Sequence, residues 1–216
     1  LQVRYEVTVP RQFNPDLRTA GGSIQVADLV GAVRAQTAGG SIKVGRIDGA
    51  VWARTAGGSI EVARAFGAIE ADTAGGSVTI GEANTKVDVR TAGGSINLGK
   101  VGGAVRAHTS GGSIRLEEAR GHVDVSTSGG SIRAALSGTP EEDCRFETSA
   151  GSIELSLPAG VSADVDARAS AGTVACDLPV TVRGEVRRSS LEGKLGDGGK
   201  LLKLRTSAGN IRIRAR

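Results

Sequence analysis

The chain is built on an 18-residue repeat, and this repeat constrains its fold more than any other feature. Its motif Thr-[Ala/Ser]-Gly-Gly-Ser-[Ile/Val] opens in strict register at Thr19, Thr37, Thr55, Thr73, Thr91, Thr109 and Thr127. Looser copies begin at Thr148, Ala169 and Thr206, and a degenerate copy begins at Arg188. One such unit is too small to bury an apolar face alone, so the period indicates units stacked into a single domain over residues 1–216.

Each unit is predicted to contain two short β-strands. Ile24 and Val26 alternate with polar residues, and Val33 and Ala35 repeat that pattern later in the same unit. Alternation with a period of two predicts strands with one buried face. The intervening glycines predict tight corners, because glycine tolerates a positive φ. A helical unit is disfavoured, since the repeat is too short for a helical solenoid and glycine weakens helices.

Stacking the units predicts an all-β, single-stranded β-solenoid (β-helix) with two parallel sheets, about 18 residues per coil and about ten to eleven coils. Residues 1–18 are predicted to form an N-terminal capping coil, 19–126 the regular repeats, and 127–216 less regular coils and the C-terminal end. A thin aliphatic core explains why aromatic residues are only 2% of the chain. The inner columns are predicted to be Ile24, Ile42, Ile60, Val78, Ile96, Ile114 and Ile132; Val26, Val44, Val62, Ile80, Leu98 and Leu116; Val33, Val51, Ile69, Val87, Val105 and Val123; and Ala35, Ala53, Ala71, Val89, Ala107 and Val125.

The recurrent threonines and serines are interpreted as a structural turn ladder. At one corner of the stack, their hydroxyls can satisfy backbone groups of the turns and one another. A ligand-binding ladder is the alternative, whereas an ice-binding face is disfavoured because the outward strand positions carry charged residues. The ladder consists of Thr19, Thr37, Thr55, Thr73, Thr91, Thr109 and Thr127 with Ser23, Ser41, Ser59, Ser77, Ser95, Ser113 and Ser131.

Five outward residues are candidates for an interaction surface. Trp52 is expected to be exposed between Arg34 and Glu70, where it could anchor a partner. The last strand carries three outward arginines, which are expected to protect a terminal edge from further pairing or, alternatively, to touch an acidic partner. These three are Arg212, Arg214 and Arg216.

No catalytic, cofactor or metal site is predicted. His108 and His122 fall on different columns without carboxylate or cysteine partners, and the glycine turns lack the lysine of a phosphate loop. Cys144 and Cys176 are predicted to be free buried thiols, because they fall on opposite sheets about two coils apart. Mixed-sign walls disfavour nucleic acid, and the lack of an 18-residue apolar run excludes a membrane span within the chain.

The repeated unit, the opening Tyr5-Glu6-Val7-Thr8-Val9-Pro10 and the ending Leu204–Ile213 resemble the bacterial adhesin-like family of β-strand-repeat (β-solenoid) proteins of unknown function. The resemblance covers essentially the whole chain and implies an extracellular or cell-envelope protein without catalytic residues. The chain begins at Leu1 and contains no methionine, so we expect a processed or trimmed form from which a signal peptide or anchor is missing.

Three functions from different classes fit these observations. The first is a non-enzymatic structural or adhesin-like rod that displays its walls to cell-envelope or surface components. The second is a subunit that stacks head to tail with copies of itself into an extracellular filament. The third is a glycan or small-ligand binding module that uses the exposed residues around Trp52.

Overall fold

The computed structural model describes residues 4–182 and 187–216 as an all-β solenoid with 23 strands in two sheets. The strands are β1 (Asp16–Thr19), β2 (Ile24–Val26), β3 (Leu29–Val30), β4 (Val33–Thr37), β5 (Ile42–Asp48), β6 (Val51–Thr55), β7 (Ile60–Ala65), β8 (Ile69–Thr73), β9 (Val78–Ala83), β10 (Val87–Thr91), β11 (Ile96–Val101), β12 (Val105–Thr109), β13 (Ile114–Ala119), β14 (Val123–Thr127), β15 (Ile132–Leu136), β16 (Cys144–Ala150), β17 (Ile153–Leu157), β18 (Ala163–Ala171), β19 (Val174–Cys176), β20 (Val180–Val182), β21 (Ser190–Leu195), β22 (Leu201–Ala208) and β23 (Ile211–Ala215).

Each regular repeat gives one strand to each sheet. The twelve-stranded sheet has the order β1-β4-β6-β8-β10-β12-β14-β16-β22-β18-β21-β20. The eleven-stranded sheet has the order β19-β23-β17-β15-β13-β11-β9-β7-β5-β2, and its eleventh strand, β3, pairs with β5 beside β2. Neighbouring repeats pair in parallel with residues 18 positions apart, so that Val87 lies beside Val105 and Ile96 beside Ile114. The predicted β-solenoid, with two sheets and an 18-residue turn, is therefore confirmed.

The core contains the predicted aliphatic columns and one column that the sequence pattern did not predict. The predicted inner residues are buried, except that Val26, in the first turn, is only partly buried. Strict alternation would bring Arg46 inward after Val44, but the strand bends at Gly45 and Ile47 faces the core instead. The bend shifts the phase of the alternation, so a pattern with a strict period of two does not predict this extra buried column. That column is Leu29, Ile47, Ala65, Ala83, Val101, Ala119 and Leu136.

Each buried threonine joins two successive turns through its hydroxyl. The Thr91 hydroxyl donates to the carbonyl oxygen of Gly76 in the preceding turn, at 2.9 Å, and accepts the N–H of Gly94 in its own turn, at 3.2 Å. The same two bonds recur in the repeats that begin at Thr37, Thr55, Thr73, Thr109 and Thr127. Thr19, in the first turn, is exposed and only accepts the Gly22 N–H.

The second glycine of each turn is required by the close approach of successive turns. A Cβ atom on Gly76 would overlap the carbonyl oxygen of Gly58, whereas a Cβ on Gly75 would lie 3.3 Å from the Gly57 oxygen. The predicted reason, a positive φ, is wrong for these regular turns. It holds for Gly31, whose φ is 139°.

The chain makes about eight successive turns, not the ten to eleven predicted. After the eighth turn, neighbouring layers of the stack are no longer consecutive in the sequence. Strand β22 lies between β16 and β18, and β23 lies between β17 and β19. The C-terminal coil therefore fills a layer inside the stack. The arginine-bearing strand β23 is paired on both sides, so the prediction that it is a protected terminal edge is wrong.

The region around residue 188 is also not a further parallel coil. Strand β21 runs antiparallel to β18, and β20, antiparallel to β21, is the outermost strand at this end of the twelve-stranded sheet. The chain then turns back at Gly196, Gly198 and Gly199, all with positive φ, and enters the layer between β16 and β18 as β22. These glycines permit the sharp reversal that the insertion needs.

The segment predicted as a capping coil pairs with the next coil over residues 11–19, where Phe13 N–H donates to the Val30 carbonyl oxygen at 3.0 Å and β1 pairs with β4. Residues 4–10 contain no strand, and Tyr5 and Val7 are 87% and 75% exposed; Val3 lies outside the described residues. The phase of the segment explains this result, because the repeat of 18 would place Glu6 and Thr8 in line with the inward Ile24 and Val26. A strand continued in register would turn its apolar side chains outward.

The close approach of the turns gives a matched pair of variants. Gly76→Ala should lower the free energy of unfolding by about 3 kcal/mol, because the new methyl group forces two backbones apart. Gly75→Ala, one residue earlier, should change it far less. Urea denaturation followed by circular dichroism measures both, and equal losses would contradict this account of the turn.

The inserted coil predicts an unusual effect of truncation. Deleting residues 200–216 should remove hydrogen-exchange protection from β16 through β21, because β16 and β18 both lose the strand between them. Protection in β5 through β13 should persist. Deleting residues 1–15, which removes an outer segment, should affect only β1 to β4. If the C-terminal deletion removed hydrogen-exchange protection only from the last few remaining residues, the insertion of β22 between β16 and β18 would be contradicted.

Candidate interaction surface

A shallow groove of about 380 Å³ runs along the outer face of the eleven-stranded sheet. One side is a row of turn serines, and the other is a row of polar side chains on β11, β13, β15 and β17. The groove therefore crosses four layers at right angles to the strands. Its lining includes Ser95, Ser113, Ser131, Ser152, Arg115, Arg133 and Glu154.

The serine side presents a regular row of hydrogen-bond donors. The Ser95 hydroxyl oxygen accepts the backbone N–H of Ser113 at 3.2 Å, and Ser113 and Ser131 accept from the next serine at the same distance. A hydroxyl that accepts in this way still has its own hydrogen to donate. No acceptor for these hydrogens lies within the described ranges 4–182 and 187–216, so they are available to an outside molecule at about the 4.8 Å spacing of the strands.

The other side of the groove is organised by Glu154. Its Oε2 accepts from Arg133 Nε at 2.7 Å, and its Oε1 lies 2.6 Å from Arg214 Nη1. The Arg133 hydrogen bond lowers the pKa of Glu154 most, burial raises it, and the charges of Arg133, Arg214 and Arg212 lower it further, so that the net shift is downward. Glu154 thus stays ionised and holds two guanidinium groups at the groove.

The three C-terminal arginines lie on the same wall as this groove, each beside a carboxylate. Arg212 binds Asp177 at 2.9 Å, and Arg214 donates to Ser156 at 3.1 Å in addition to its contact with Glu154. Arg216 lies 3.8 Å from Glu118. Arg212 continues the column of Arg115, Arg133 and Glu154, whereas Arg214 lies beside Ser156 on the next outward column. Each of the three arginines is held by an acidic neighbour.

Trp52 and Arg34 lie on the opposite wall, in the twelve-stranded sheet. The Arg34 guanidinium stacks 4.2 Å from the centre of the indole ring, and Trp52 Nε1 donates to Glu70 at 3.3 Å. Trp52 is therefore partly buried between the two side chains that the sequence placed beside it. The structure does not bring Trp52 and Arg34 together with the C-terminal arginines.

The groove residues Arg115, Arg133, Ser152 and Glu154 were not singled out from the sequence. Asn97, Arg115 and Arg133 do follow the 18-residue spacing on one outward column. The next member of the column, Glu154, breaks that spacing, and only the structure shows that it lies beside Arg133. The sequence feature that indicates the groove is this column of hydrogen-bond donors beside the turn serines. It contains no pattern typical of a catalytic site.

The cysteines are both free thiols. Cys144 is buried on β16, whereas Cys176 on β19 is only partly buried. Burial raises the pKa of each thiol, which keeps both protonated at neutral pH. Within residues 4–182 and 187–216, no group of three or more His, Cys, Asp or Glu side chains could hold a metal ion. In the same ranges, no helix has the length and apolarity to cross a membrane.

The sequence profile of the family described as Toastrack DUF4097 matches residues 18–214. The chain belongs to this family. The match supports a β-repeat family of unknown function, and it does not confirm the adhesin role implied by the sequence resemblance. No curated protein and no solved structure matches this Toastrack chain.

The lowered pKa of Glu154 predicts a pH-dependent contribution to stability. A carboxyl whose pKa is lower in the folded state stabilises that state above its unfolded pKa, near about 4.3, and this contribution is lost as the pH falls through the folded pKa. Glu154→Gln should lower the free energy of unfolding by about 1 kcal/mol at pH 7. The deficit should shrink as the pH approaches 3.

Thermal unfolding between pH 7 and pH 3 measures this difference. Glu61→Gln is the matched control, because within the described residues Glu61 forms a single ion pair, with Lys43 at 3.2 Å, and both side chains are more than half exposed. A deficit for Glu154→Gln that did not depend on pH would rule out the assigned ion pairs.

Proposed function

We propose that this Toastrack protein is a non-enzymatic structural and interaction module, and that the serine–arginine groove is the surface that contacts its partner. The observation that carries the proposal is the continuous row of serine hydroxyls, each fixed by a backbone N–H and each with a hydrogen to donate. Side chains fixed in this way bind without losing much conformational freedom.

The fold supports display of such a surface at fixed spacing. The threonine hydroxyls tie each turn to the one before it, and parallel strands pair along both walls. The twelve-stranded sheet holds eight parallel strands in chain order followed by the parallel β22 and β18, and at about 4.8 Å apart these strands span about 43 Å. A groove on the wall of such a rod presents its donors in one geometry.

The chemistry of the groove favours an extended ligand that is rich in acceptor oxygens. Serine O–H groups and the guanidinium N–H groups of Arg115 and Arg133 are all donors, whereas Glu154 is occupied by two arginines. Carboxylated polysaccharides offer acidic oxygens at intervals along a chain, and guanidinium groups bind carboxylates through charge-assisted hydrogen bonds. We infer an acidic glycan of the cell envelope or cell surface as the partner, and therefore an exported location.

The two alternative functions find less support. A glycan site at Trp52 would have to displace Arg34 from the ring face that a sugar would use. Head-to-tail filament growth would have to begin at β20, a three-residue strand that lies beyond the antiparallel β21 at the far end of the twelve-stranded sheet, and not at a full-length strand of the regular stack.

Binding to a carboxylated polysaccharide tests the proposal. With alginate as the probe and neutral dextran as the reference, the protein should bind alginate alone, and Arg115→Ala/Arg133→Ala should weaken binding by about tenfold or more. The control Arg54→Ala/Arg106→Ala removes two outward arginines from the opposite wall and should leave binding unchanged. Sedimentation with the polymer measures all three proteins.

Two results would contradict the proposal. One is equal loss of binding in the groove and control variants, which would indicate nonspecific attraction of the basic chain to a polyanion. The other is turnover of a substrate that a single substitution abolishes without unfolding the protein. Protease accessibility of a tagged protein on intact cells tests the exported location separately.

A further inference from the structure

The two ends of the solenoid are unlike. At the N-terminal end, β1 and β2 each have one sheet neighbour, whereas the outer edge of the neighbouring β3 is covered by residues 11–13 through the Phe13 and Val30 backbone hydrogen bonds. Leu17 and Val26 are only partly buried there, whereas the residues above them in the same columns, Ala35 and Val44, are 0% and 1% exposed. At the opposite end the outermost strands β20 and β19 also have one neighbour each, but both are only three residues long, and β20 lies beyond the antiparallel β21.

The open edge of β1 has a defined pattern of backbone groups. Arg34 N–H donates to the Pro15 carbonyl oxygen at 2.9 Å, so residues 15 and 17 direct their backbone groups toward β4. Because successive residues point to opposite edges, Asp16 and Arg18 direct theirs outward. In β2, Ile24 N–H donates to the Ser41 carbonyl oxygen, so Gln25 points outward in the same way.

This pattern is complementary to itself. Two copies of β1 paired antiparallel about Leu17 would place Asp16 in a hydrogen-bonded pair with the second copy's Arg18, twice, by symmetry. The opposed side chains then carry opposite charges. Within one chain Asp16 and Arg18 bind each other at 2.9 Å, and their side chains are 50% and 65% exposed, so both can exchange partners.

We propose that the edges of β1 and β2 form the docking surface for a second copy of this chain, which yields a closed head-to-head dimer. Charge complementarity selects the second copy as the occupant, and the apolar Tyr5, Val7 and Phe13, exposed at 87%, 75% and 43%, add contact area in the segment that leads into β1. The dimer joins two rods at their N-terminal ends and leaves both grooves outside the contact. It does not depend on what the groove binds.

Charge reversal provides the test. Sedimentation equilibrium should show a dimer of the unmodified protein, and Arg18→Asp and Asp16→Arg should each raise the dissociation constant by about tenfold or more, because like charges then oppose each other. An equal mixture of the two variants should dimerise again, since each Asp faces an Arg. Arg90→Asp, which breaks the same Asp-x-Arg pair inside the sheet at β10, is the control and should leave the dimer intact.

Cross-linking gives a second readout if a charge variant folds poorly. In a Cys176→Ser background, Gln25→Cys should form a disulfide between two copies, while Thr181→Cys on β20 at the other end should not. A monomer at about 100 µM, growth beyond two copies, or failure of the mixed variants to associate would each overturn the proposal.

Discussion

The contact between successive turns is the constraint on which the rest of the structure depends. A threonine hydroxyl reaches the glycine carbonyl of the preceding turn, and the approach is so close that the second glycine cannot carry a side chain. Both conditions hold in the turns that begin at Thr37 to Thr127, so these repeats tolerate little change at Thr and at the second Gly while the strand residues vary. The same contact fixes the positions of the serines, because each serine N–H meets the preceding serine hydroxyl. The outward donors are thus a consequence of the packing that closes the turns.

The sequence predicted those parts of the fold that depend on a residue and its neighbour 18 positions away. The inner columns headed by Ile24 and Val33 are of this kind. It missed the column of Ile47, because a bend at Gly45 changes the phase within one strand. It also missed the insertion of β22, since Leu202, Leu204 and Thr206 fit the inner pattern of any layer equally well. The order of layers is decided by the path of the chain, and periodicity carries no information on that path.

The candidate surface was less predictable than the fold for a related physical reason. Trp52 and the C-terminal arginines drew attention as unusual residue types, but local contacts account for them: Arg34 and Glu70 hold the indole, and Asp177 holds Arg212. The groove consists of ordinary residues, and its chemistry arises from repetition. One serine that accepts a backbone N–H is a turn feature, whereas four in a row beside Arg115 and Arg133 form a continuous line of donors.

The groove lies at the point where the strict 18-residue spacing of the repeats ends. From Ser131 to Ser152 the offset rises from 18 to 21 residues, yet the N–H to hydroxyl distance stays at 3.2 Å. The extra residues are accommodated between β15 and β16, away from the turn, so the serine row continues without a break. In the outward column of the strands, the same change in spacing places Glu154 beside Arg133. The inserted strand β23 carries Arg214, which forms an ion pair with Glu154. An unbroken ladder of hydroxyls therefore meets an irregular cluster of arginines at only this part of the described wall, and a repeat protein gains a distinct site there without altering the turns that hold it together.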